Sequence, residues 1–451
     1  MTNDRFFPGP DETSGEPVDE VADPQGSGGV IGGSAVPDVG EDRPGLKKPR
    51  RGVKRHRGVK IALISVLAVV IAVAGGLTYM WFDLNGKLTQ TPIGNLLDSS
   101  RPPELAPSAT VMTPGDPFAG RAMNILVLGT DSREGANSSL TGDDVAGMRS
   151  DTTFIAHVSA DRTRIDIVSI PRDTFITIPD CKADDGSVIP EAGWMNMGFN
   201  AAFAYGVSDG GSLAAGAACA IRAVEAMSNV HIDAYVVVDF MGFVKVVDSI
   251  GGVDVTLLCP INSPNADHLS LPAGVNHLDG KTAVELARAR EGLGLGDGSD
   301  LQRIRRQHAL FEAIAAKVYD MNYVTDFPKL YNLVSAAISS VTTDIGNLAD
   351  VAGFAYSLKD FNTANLNSVM IPIADAGDGA HVVLVPSQDE PIWEALRNDT
   401  PLPIKSDQAP TSSPSASASP SVGATSSASG APTATASVQP PPTIQDASDC
   451  D

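Results

Sequence analysis

The sequence predicts an α/β domain preceded by one transmembrane helix. Three short apolar runs rich in β-branched residues lie close together, at Asn124–Leu128, Thr152–Val158 and Ile165–Ile170. Such runs are typical of buried strands, and the Ala-rich and amphipathic stretches that follow them indicate helices packed on a sheet. An uncharged apolar run at Ile61–Met80 precedes the domain. At about 1.5 Å per residue, this run is long enough to cross a membrane.

The N-terminal part of the 451-residue chain has a different composition from its centre. Residues 1–60 have no hydrophobic period, which predicts a disordered tail, and the tail is strongly basic over Arg43–Lys60. The whole chain carries a formal charge of −22. This charge argues against nucleic-acid binding, so the basic run is interpreted as a membrane topology signal.

A retained membrane anchor is predicted at residues 61–82, with Tyr79 and Trp81 at its outer interface. The alternative is a cleaved signal peptide. The long polar stretch ahead of the run and the lack of a small-x-small cleavage site favour an anchor. Because the Lys and Arg residues precede the span, we expect a cytoplasmic N-terminus and an extracytoplasmic domain, in a protein of the cell membrane that crosses it once.

Composition also sets the expected boundaries of the folded domain. Residues 83–120 contain TPIGNLL, RPPELAP and TPGDP, which predict an extracytoplasmic linker. The folded domain is then expected over residues 121–405. Residues 406–451, rich in Ser, Pro, Ala and Thr, are predicted to be a disordered tail.

Further elements are predicted along the domain. Phe199–Ser228 is Ala-rich and indicates helix, interrupted around Gly210–Gly211. A β-α-β passage follows over Ala234–Val238, Phe240–Ile250 and Val253–Leu258. Gly251 and Gly252 lie where the chain must reverse, a position that favours positive φ. Later helices are predicted at Thr282–Ala287, Leu301–Tyr319 and Phe327–Val341, and later strands at Ser368–Pro372 and His381–Val385.

Each of the three opening strand runs has an Asp and an Arg at one end. The pairs are Asp131 with Arg133, Arg149 with Asp151, and Arg172 with Asp173. If the strands are neighbours, these side chains gather at one edge of a sheet, where loops usually carry chemistry. Carboxylates beside arginines suit a divalent metal plus phosphate, because hard oxygen ligands hold Mg²⁺ while guanidinium groups bind phosphoryl oxygens. The alternative is a surface lattice of Asp–Arg salt bridges.

A second concentration of charge lies further along the chain. Arg288 and Arg290 are two apart, so in an extended segment both face the same way. Asp300, Arg303 and Gln307 share one face of the next helix, and Asp300 lies near its N-terminus, where a carboxylate suits the dipole. The alternative is an ordinary amphipathic helix with solvated basic residues.

The four cysteines, Cys181, Cys219, Cys259 and Cys450, all lie on the side of the span predicted to be exported, where disulfides form. We predict a Cys181–Cys219 bond, with a free buried Cys219 as the alternative. The pairing of Cys259 and Cys450 stays open. The sequence has no CxxC or HExxH motif, so zinc is not expected.

Seven short motifs occur in a fixed order. They are GTDSR at Gly129–Arg133, RSDT at Arg149–Thr152, SIPRDT at Ser169–Thr174, VDSIGGVDV at Val247–Val255, LDG at Leu278–Gly280, ARAR at Ala287–Arg290 and DLQRIRRQ at Asp300–Gln307. In this order they resemble the LytR-CpsA-Psr (LCP) family of bacterial cell-wall proteins. The resemblance implies a single mixed-sheet domain flanked by helices.

The same resemblance implies an activity. The family moves a phosphorylated glycopolymer from a polyprenyl diphosphate carrier to a peptidoglycan hydroxyl, so the chain is expected to be a membrane-anchored, Mg-dependent phosphotransferase of cell-wall assembly. By this resemblance Asp131 and Asp151 hold Mg²⁺, with Mn²⁺ as an alternative. The residues expected around the diphosphate are Arg149, Arg172, Arg288, Arg290, Arg303 and Gln307. Where the family commonly has a second glutamine, this chain has His308.

The chemistry of a diphosphate agrees with these residues. Breaking its P–O bond requires neutralisation of charge on both the transferred group and the leaving lipid phosphate. The candidate catalytic residues are Arg172, Asp173 and Arg290, and the general base stays open between Asp151 and Asp173. The resemblance also implies an apolar cavity for the carrier tail. Its candidate lining residues, with ordinary core as the alternative, are Phe199, Phe203, Val236, Phe240, Phe243 and Phe311.

Two other functions stay open. One is a polyprenyl diphosphate hydrolase, which delivers water in place of a sugar hydroxyl. The other is a non-enzymatic, membrane-anchored protein that binds a glycolipid or regulates transcription. The sequence does not name the glycopolymer.

Overall fold

The computed structural model of the chain describes residues 56–98, 100–107, 115–130, 148–208, 211–322, 325–403, 441–445 and 447–450. The predicted N-terminal tail lies almost wholly outside these residues, as do Asp131, Arg133 and most of the C-terminal tail.

The structure gives the following helices and strands. In chain order the helices are α1 (His56–Lys87), α2 (Asn200–Val207), α3 (Leu213–Ser228), α4 (Phe240–Ser249), α5 (Gly280–Arg288), α6 (Asp300–Tyr319), α7 (Phe327–Ser339), α8 (Leu348–Ser357) and α9 (Pro386–Arg397). The strands are β1 (Met123–Thr130), β2 (Ser150–Val158), β3 (Ile165–Ile170), β4 (Phe175–Ile178), β5 (Cys181–Lys182), β6 (Val188–Ile189), β7 (Ala192–Gly198), β8 (Ala234–Asp239), β9 (Val253–Leu257), β10 (Ile261–Ser263), β11 (Leu269–Leu271), β12 (Gly274–Leu278), β13 (Val341–Thr343), β14 (Leu366–Met370), β15 (Ile373–Asp375) and β16 (Val382–Leu384).

Helix α1 contains the candidate membrane span. By length and composition its part from Ser65 to Lys87 can cross a membrane, and many of its large apolar side chains are exposed. The predicted anchor at residues 61–82 overlaps this part.

The central sheet has six strands in the order β13, β8, β1, β2, β3 and β14. Strand β1 pairs parallel with β8 and antiparallel with β2, and β2 pairs antiparallel with β3. The three opening strands are therefore neighbours in this sheet. The mixed sheet flanked by helices confirms the predicted fold class.

Strand β1 is buried on both faces. Leu126 and Leu128 belong to the main core together with the Ala-rich helices α2 and α3, whereas Ile125 lies in a separate apolar cluster. This alternation is the period of two expected of a strand. It also directs Val127 and Gly129 away from the main core, toward a cavity on the other face.

A smaller sheet carries the second core. Strand β9 pairs antiparallel with β12. The predicted β-α-β passage suggests that β8 and β9 lie side by side in one sheet, whereas the structure places them in different sheets. Gly251 and Gly252 make the reversal with φ of 80° and 84°. A Cβ at Gly252 would lie 2.6 Å from the carbonyl oxygen of Leu278, so the close approach of the two strands requires glycine there.

The folded domain begins before the predicted boundary at residue 121. Ile93 and Leu96 are buried in the main core, and Arg101 forms an ion pair of 2.6 Å with Glu225. The predicted linker at 83–120 thus contains residues that pack on the domain. Composition did not predict this packing because only a few apolar side chains of the linker contact the core.

Both cysteine pairs are joined. The predicted Cys181–Cys219 disulfide is confirmed, with Cα atoms 5.2 Å apart. Cys259 bonds Cys450, with Cα atoms 5.8 Å apart. Residues 441–445 and 447–450 therefore pack on the domain, although the tail at 406–451 was predicted to be disordered.

Candidate active site

A cavity of about 270 Å³ opens where three strands of the central sheet end. Thr130 at the end of β1, Asp151 at the start of β2 and Asp239 at the end of β8 all line it. The strand register explains their proximity, because Gly129 lies opposite Thr152 across the antiparallel pair and Thr130 lies opposite Asp239 across the parallel pair. The two carboxylates thus flank the end of β1.

Four arginines line the same cavity. Arg172 follows β3, Arg288 ends α5, Arg290 lies just beyond it, and Arg303 is in the first turn of α6. The lining itself has two carboxylates, and Asp173 and Asp300 lie within 4 Å of the arginines just outside it. In a chain of net charge −22, four arginines around one cavity are a local concentration of positive groups, which favours an anionic ligand.

Arg172 makes the closest contacts to carboxylates on the strand side of the cavity. Its Nη1 donates to Asp151 Oδ1 at 2.8 Å, and its Nε donates to Asp173 at 3.2 Å and lies 3.8 Å from Asp300. Burial acts to lower the pKa of Arg172, but the three carboxylates outweigh burial and raise it above its ordinary value. The guanidinium is therefore charged and held in place by its neighbours.

Asp300 joins the arginines on the helix side. Its Oδ1 lies 2.5 Å from Arg303 and 3.6 Å from Arg290. Burial raises the pKa of Asp300 despite these arginines. Burial also lowers the pKa of Arg303 to about 10, which leaves it charged at neutral pH. Arg303 Nη2 also donates to the carbonyl oxygen of Asp151 at 3.0 Å, and this bond ties α6 to β2.

The LDG and VDSIGG motifs position α5, which carries Arg288. Asp279 caps the helix by accepting from the Thr282 amide at 2.8 Å, and Asp248 accepts from the Gly280 amide at 2.7 Å. A Cβ at Gly280 would meet the Val244 carbonyl oxygen at 2.3 Å, so glycine allows α5 to pack closely on α4. Both motifs therefore serve one helix junction.

The rest of the cavity lining is largely apolar. Phe154 and Phe311 pack with ring centroids 4.9 Å apart, and Phe240 and Phe243 complete an aromatic wall. Arg288 lies over the ring of Phe240 at 4.6 Å, where the aromatic face attracts the cation. Along α6 the lining changes from Arg303 and Gln307 to Leu310 and Phe311, so the cavity passes from a cationic end to an apolar end.

Three of the predicted apolar lining residues are found elsewhere. Phe199, the N-cap of α2, and Phe203, within α2, are fully buried in the main core, and Val236 packs in the small cluster with Met123 and Ile125. The prediction failed for these three residues because the apolar pattern of a buried strand or helix is the same whether the side chains pack in the core or line a cavity.

The structure brings most of the predicted polar site residues together. The predicted residues that line the cavity are Asp151, Arg172, Arg288, Arg290, Arg303 and Gln307. Arg149 does not line it, and Asp173 contacts Arg172 from outside the lining. Asp131 lies outside the described residues. Asp239 was not predicted, although it follows an apolar strand directly, as Asp131 does.

The carboxylates suit a hard divalent cation. Asp151 and Asp239 present oxygen ligands on either side of the strand end that precedes Asp131 in the sequence. One oxygen of Asp239 accepts from the Gly242 amide at 2.7 Å, and one of Asp151 accepts from Arg172. Within the described residues no three His, Cys, Asp or Glu side chains cluster for a metal. The fit for Mg²⁺ therefore depends on Asp131 joining these two.

His308 lies beside the site but serves the packing of α6 on the sheet. Its Nε2 lies 2.6 Å from Ser169 Oγ in β3. Burial lowers the pKa of His308 to about 4, so the ring is neutral at neutral pH. A neutral hydrogen-bonding group is what a glutamine at this position also supplies.

Known proteins resemble this chain over much of its length. The cell wall biosynthesis protein LcpA of Corynebacterium glutamicum is 28% identical over 389 residues, which span 78% of this chain and 68% of LcpA. The polyisoprenyl-teichoic acid–peptidoglycan teichoic acid transferase TagU of Oceanobacillus iheyensis is 25% identical over 66% of this chain and 80% of TagU. The solved structure of a LytR-Csp2A-Psr enzyme from Actinomyces oris superposes with a TM-score of 0.43 at 18% identity, covering 66% of this chain and 96% of that one. The LytR_cpsA_psr family profile matches residues 98–397, more than half of the chain, and the chain therefore belongs to the LytR_cpsA_psr family.

Proposed function

We propose that the protein is a membrane-anchored phosphotransferase that moves a glycopolymer from a polyprenyl diphosphate carrier to a peptidoglycan hydroxyl during cell-wall assembly. The observation that carries the proposal is the lining of one cavity, which is divided in kind between four arginines and four phenylalanines. A lipid-linked diphosphate has the same division between a charged head and an apolar tail. Membership of the family and the names of LcpA and TagU support the same activity.

The arginines bind and neutralise the diphosphate. Arg172, Arg290 and Arg303 converge on Asp300, which holds them in place before the ligand arrives. Such preorganised donors stabilise charge that develops in a transition state without the cost of reorganisation. Arg288 over Phe240 marks the border between the head and tail ends.

In the transfer step the acceptor hydroxyl oxygen forms a bond to the phosphorus that carries the polymer. The bond from that phosphorus to the oxygen shared with the lipid phosphate breaks, and polyprenyl phosphate leaves with the electron pair. We assign the hydroxyl proton to Asp173, whose side chain is 31% exposed and lies outside the lining beside Arg172. Asp151 is assigned to the cation side instead.

A divalent cation, Mg²⁺ or Mn²⁺, would be held by Asp131 and Asp151, with Asp239 as a further ligand. When bound, it neutralises non-bridging diphosphate oxygens. Asp151 also fixes Arg172, so one carboxylate orients both positive partners of the ligand.

The proposed orientation places the N-terminus in the cytoplasm and the folded domain outside. The motive is the basic run that precedes the candidate span. A topology reporter fused after Asp407 should give an extracytoplasmic signal. A cytoplasmic signal from this fusion would contradict a cell-wall function.

The test uses the full chain in nanodiscs with a synthetic polyprenyl diphosphate oligosaccharide, Mg²⁺ and peptidoglycan oligomers. Transfer predicts an oligosaccharide joined to peptidoglycan by a phosphodiester. Arg172→Ala should abolish most of this product, whereas Arg222→Ala should not, because Arg222 pairs with Asp98 at 3.2 Å and does not line the cavity. Release of free phosphorylated oligosaccharide with acceptor present would indicate a hydrolase, and donor binding without any product would indicate a binding or regulatory protein.

A further inference from the structure

The last residues of the chain, 441–445 and 447–450, dock beside the candidate active site; we call them the C-terminal segment. The Thr256 amide donates to the Pro442 carbonyl at 2.9 Å, and the Ile444 amide donates to the Thr256 carbonyl at 3.1 Å. Ile444 is only 3% exposed and belongs to the second core, and Cys450 bonds Cys259. The segment thus forms one isolated parallel bridge to β9, between Thr443 and Thr256, and a disulfide fixes it to the domain.

The segment contacts the loop at residues 289–299, which joins α5 to α6 and carries Arg290; we call it the arginine loop. Gln445 is 5% exposed, and its Nε2 donates to the Gly294 carbonyl at 2.6 Å. Its Oε1 accepts from the Cys259 amide at 3.0 Å. One buried amide side chain therefore links the middle of the arginine loop to the end of β9.

Asp449 acts on the same loop through arginines of α6. Arg306 is 1% exposed and donates to the carbonyl oxygens of Ala289 and Leu295, so it ties two points of the arginine loop to the helix. A buried guanidinium requires a nearby negative charge. Asp449, 4% exposed, lies 3.5 Å from Arg305, and a Cβ built on Gly296 of the arginine loop would lie 2.7 Å from its Oδ1. Burial lowers the pKa of Arg306 to about 10, and the charge of Asp449 acts against burial.

These contacts lead to the cationic end of the cavity. Ala289, which Arg306 holds, directly precedes Arg290, and the loop ends at Asp300, the carboxylate that faces Arg290 and Arg303. A shift of the loop therefore displaces Arg290 from Asp300 and Arg303, which belong to α6.

We propose that the C-terminal segment is a positioning element of the diphosphate site, in which Gln445 and Asp449 hold the arginine loop so that Arg290 and Arg303 meet the ligand. This inference rests on the proposed function for its ligand. It assigns Gln445 and Asp449 as positioning residues, and it makes the C-terminal segment a part of the site.

The test compares Gln445→Ala and Asp449→Asn with two controls. Glu390→Gln neutralises an exposed carboxylate that pairs with Arg397 and does not line the cavity. Cys181→Ser combined with Cys219→Ser removes the other disulfide. In the full chain, both positioning variants should raise KM for the lipid diphosphate about 10- to 100-fold, the scale expected of a displacement of about 1 Å, while KM for the acceptor stays the same. Asp449→Glu should restore part of the loss, and neither control should change donor KM.

Two further measurements do not depend on transfer. Binding of inorganic pyrophosphate should weaken in both positioning variants, and amide hydrogen exchange of residues 289–298 should accelerate in them but not in the controls. If wild type binds pyrophosphate but transfers nothing, the proposed function fails, while these measurements still test the positioning role. Positioning variants that melt earlier yet keep wild-type donor KM, pyrophosphate affinity and loop exchange would overturn the inference.

Discussion

Substitution of Arg172 distinguishes between two interpretations of the charged residues, a catalytic site and a lattice of salt bridges. Arg172 contacts Asp151, Asp173 and Asp300, and its side chain is 22% exposed. Because the Arg172–Asp151 pair is only partly screened by solvent, we expect Arg172→Ala to lower the free energy of unfolding by about 1–2 kcal/mol. A domain of ordinary stability, about 5–15 kcal/mol, stays folded after such a loss.

The expected effect on transfer is larger. Removing one preorganised donor to a transition state costs about 10²–10³ in rate, or roughly 3–4 kcal/mol. Arg172→Lys should recover little of the rate, because a point charge does not reproduce the planar fork that reaches two oxygens. It should recover more of the stability, since an ammonium can still face Asp151.

The assay measures melting temperature and transfer rate on the same preparations of wild type, Arg172→Ala, Arg172→Lys and Asp151→Asn. Under the catalytic assignment, Asp151→Asn weakens the dependence on Mg²⁺, and Arg172→Ala slows transfer at every Mg²⁺ concentration. Under the salt-bridge alternative, both variants lose similar stability and keep normal turnover per folded molecule. That second result would refute the reasoning.

Three other predictions follow from single contacts. Burial lowers the pKa of His308 to about 4, so as the pH falls from 6.5 toward 4 the unfolded chain binds a proton at His308 and the folded chain does not. Between pH 7 and pH 5, the free energy of unfolding of wild type should therefore fall by roughly 2 kcal/mol more than that of His308→Gln, as measured by urea unfolding. Equal losses would show that His308 does not titrate in this way. Asp239→Asn should raise the Mg²⁺ concentration needed for half-maximal transfer without lowering the melting temperature, because asparagine also caps a helix; an unchanged Mg²⁺ requirement would remove Asp239 from the cation site. Replacing Cys181 and Cys219 by serine should cost about 2–4 kcal/mol of stability with donor KM unchanged, since the bond closes a chain loop away from the cavity, and a raised donor KM would contradict this separation.

Local pattern was enough to predict the elements that build the site. The third strand has the predicted bounds, Ile165–Ile170, and the Ala-rich stretch forms two helices that break beside Gly211. Periodicity works here because these elements bury a full face. It failed for α9, a helix that contains two prolines. Pro386 lies in the first turn, which needs no amide donor, and Pro391 lies inside the helix. Strand β12, the partner of β9, was also missed. The pairing of these two strands depends on residues that lie outside both of them.

The candidate site shows the same division between local and long-range information. The arginines that line the cavity lie in motifs whose chemistry is visible in the sequence, so their charge type was predictable. Their arrangement around Asp300 was not, since it requires Arg172 after β3 and Arg290 before α6 to approach one carboxylate. Asp239 was missed because a single aspartate after a strand also fits an ordinary helix cap, and in the structure it is one.

The C-terminal segment shows why composition alone misled for the tail. Burial of Ile444 contributes roughly 2 kcal/mol, and each neutral hydrogen bond about 1 kcal/mol. These few contacts produce no hydrophobic period. The disulfide to Cys259 has a sequence separation of 191, for which chain entropy gives a stabilisation of about 5 kcal/mol. The covalent link therefore retains the segment, and the side chains of Gln445 and Asp449 determine what it contacts. For a segment of this kind the useful signal in the sequence is a cysteine at the end of a low-complexity stretch, because that residue needs a partner in the folded domain.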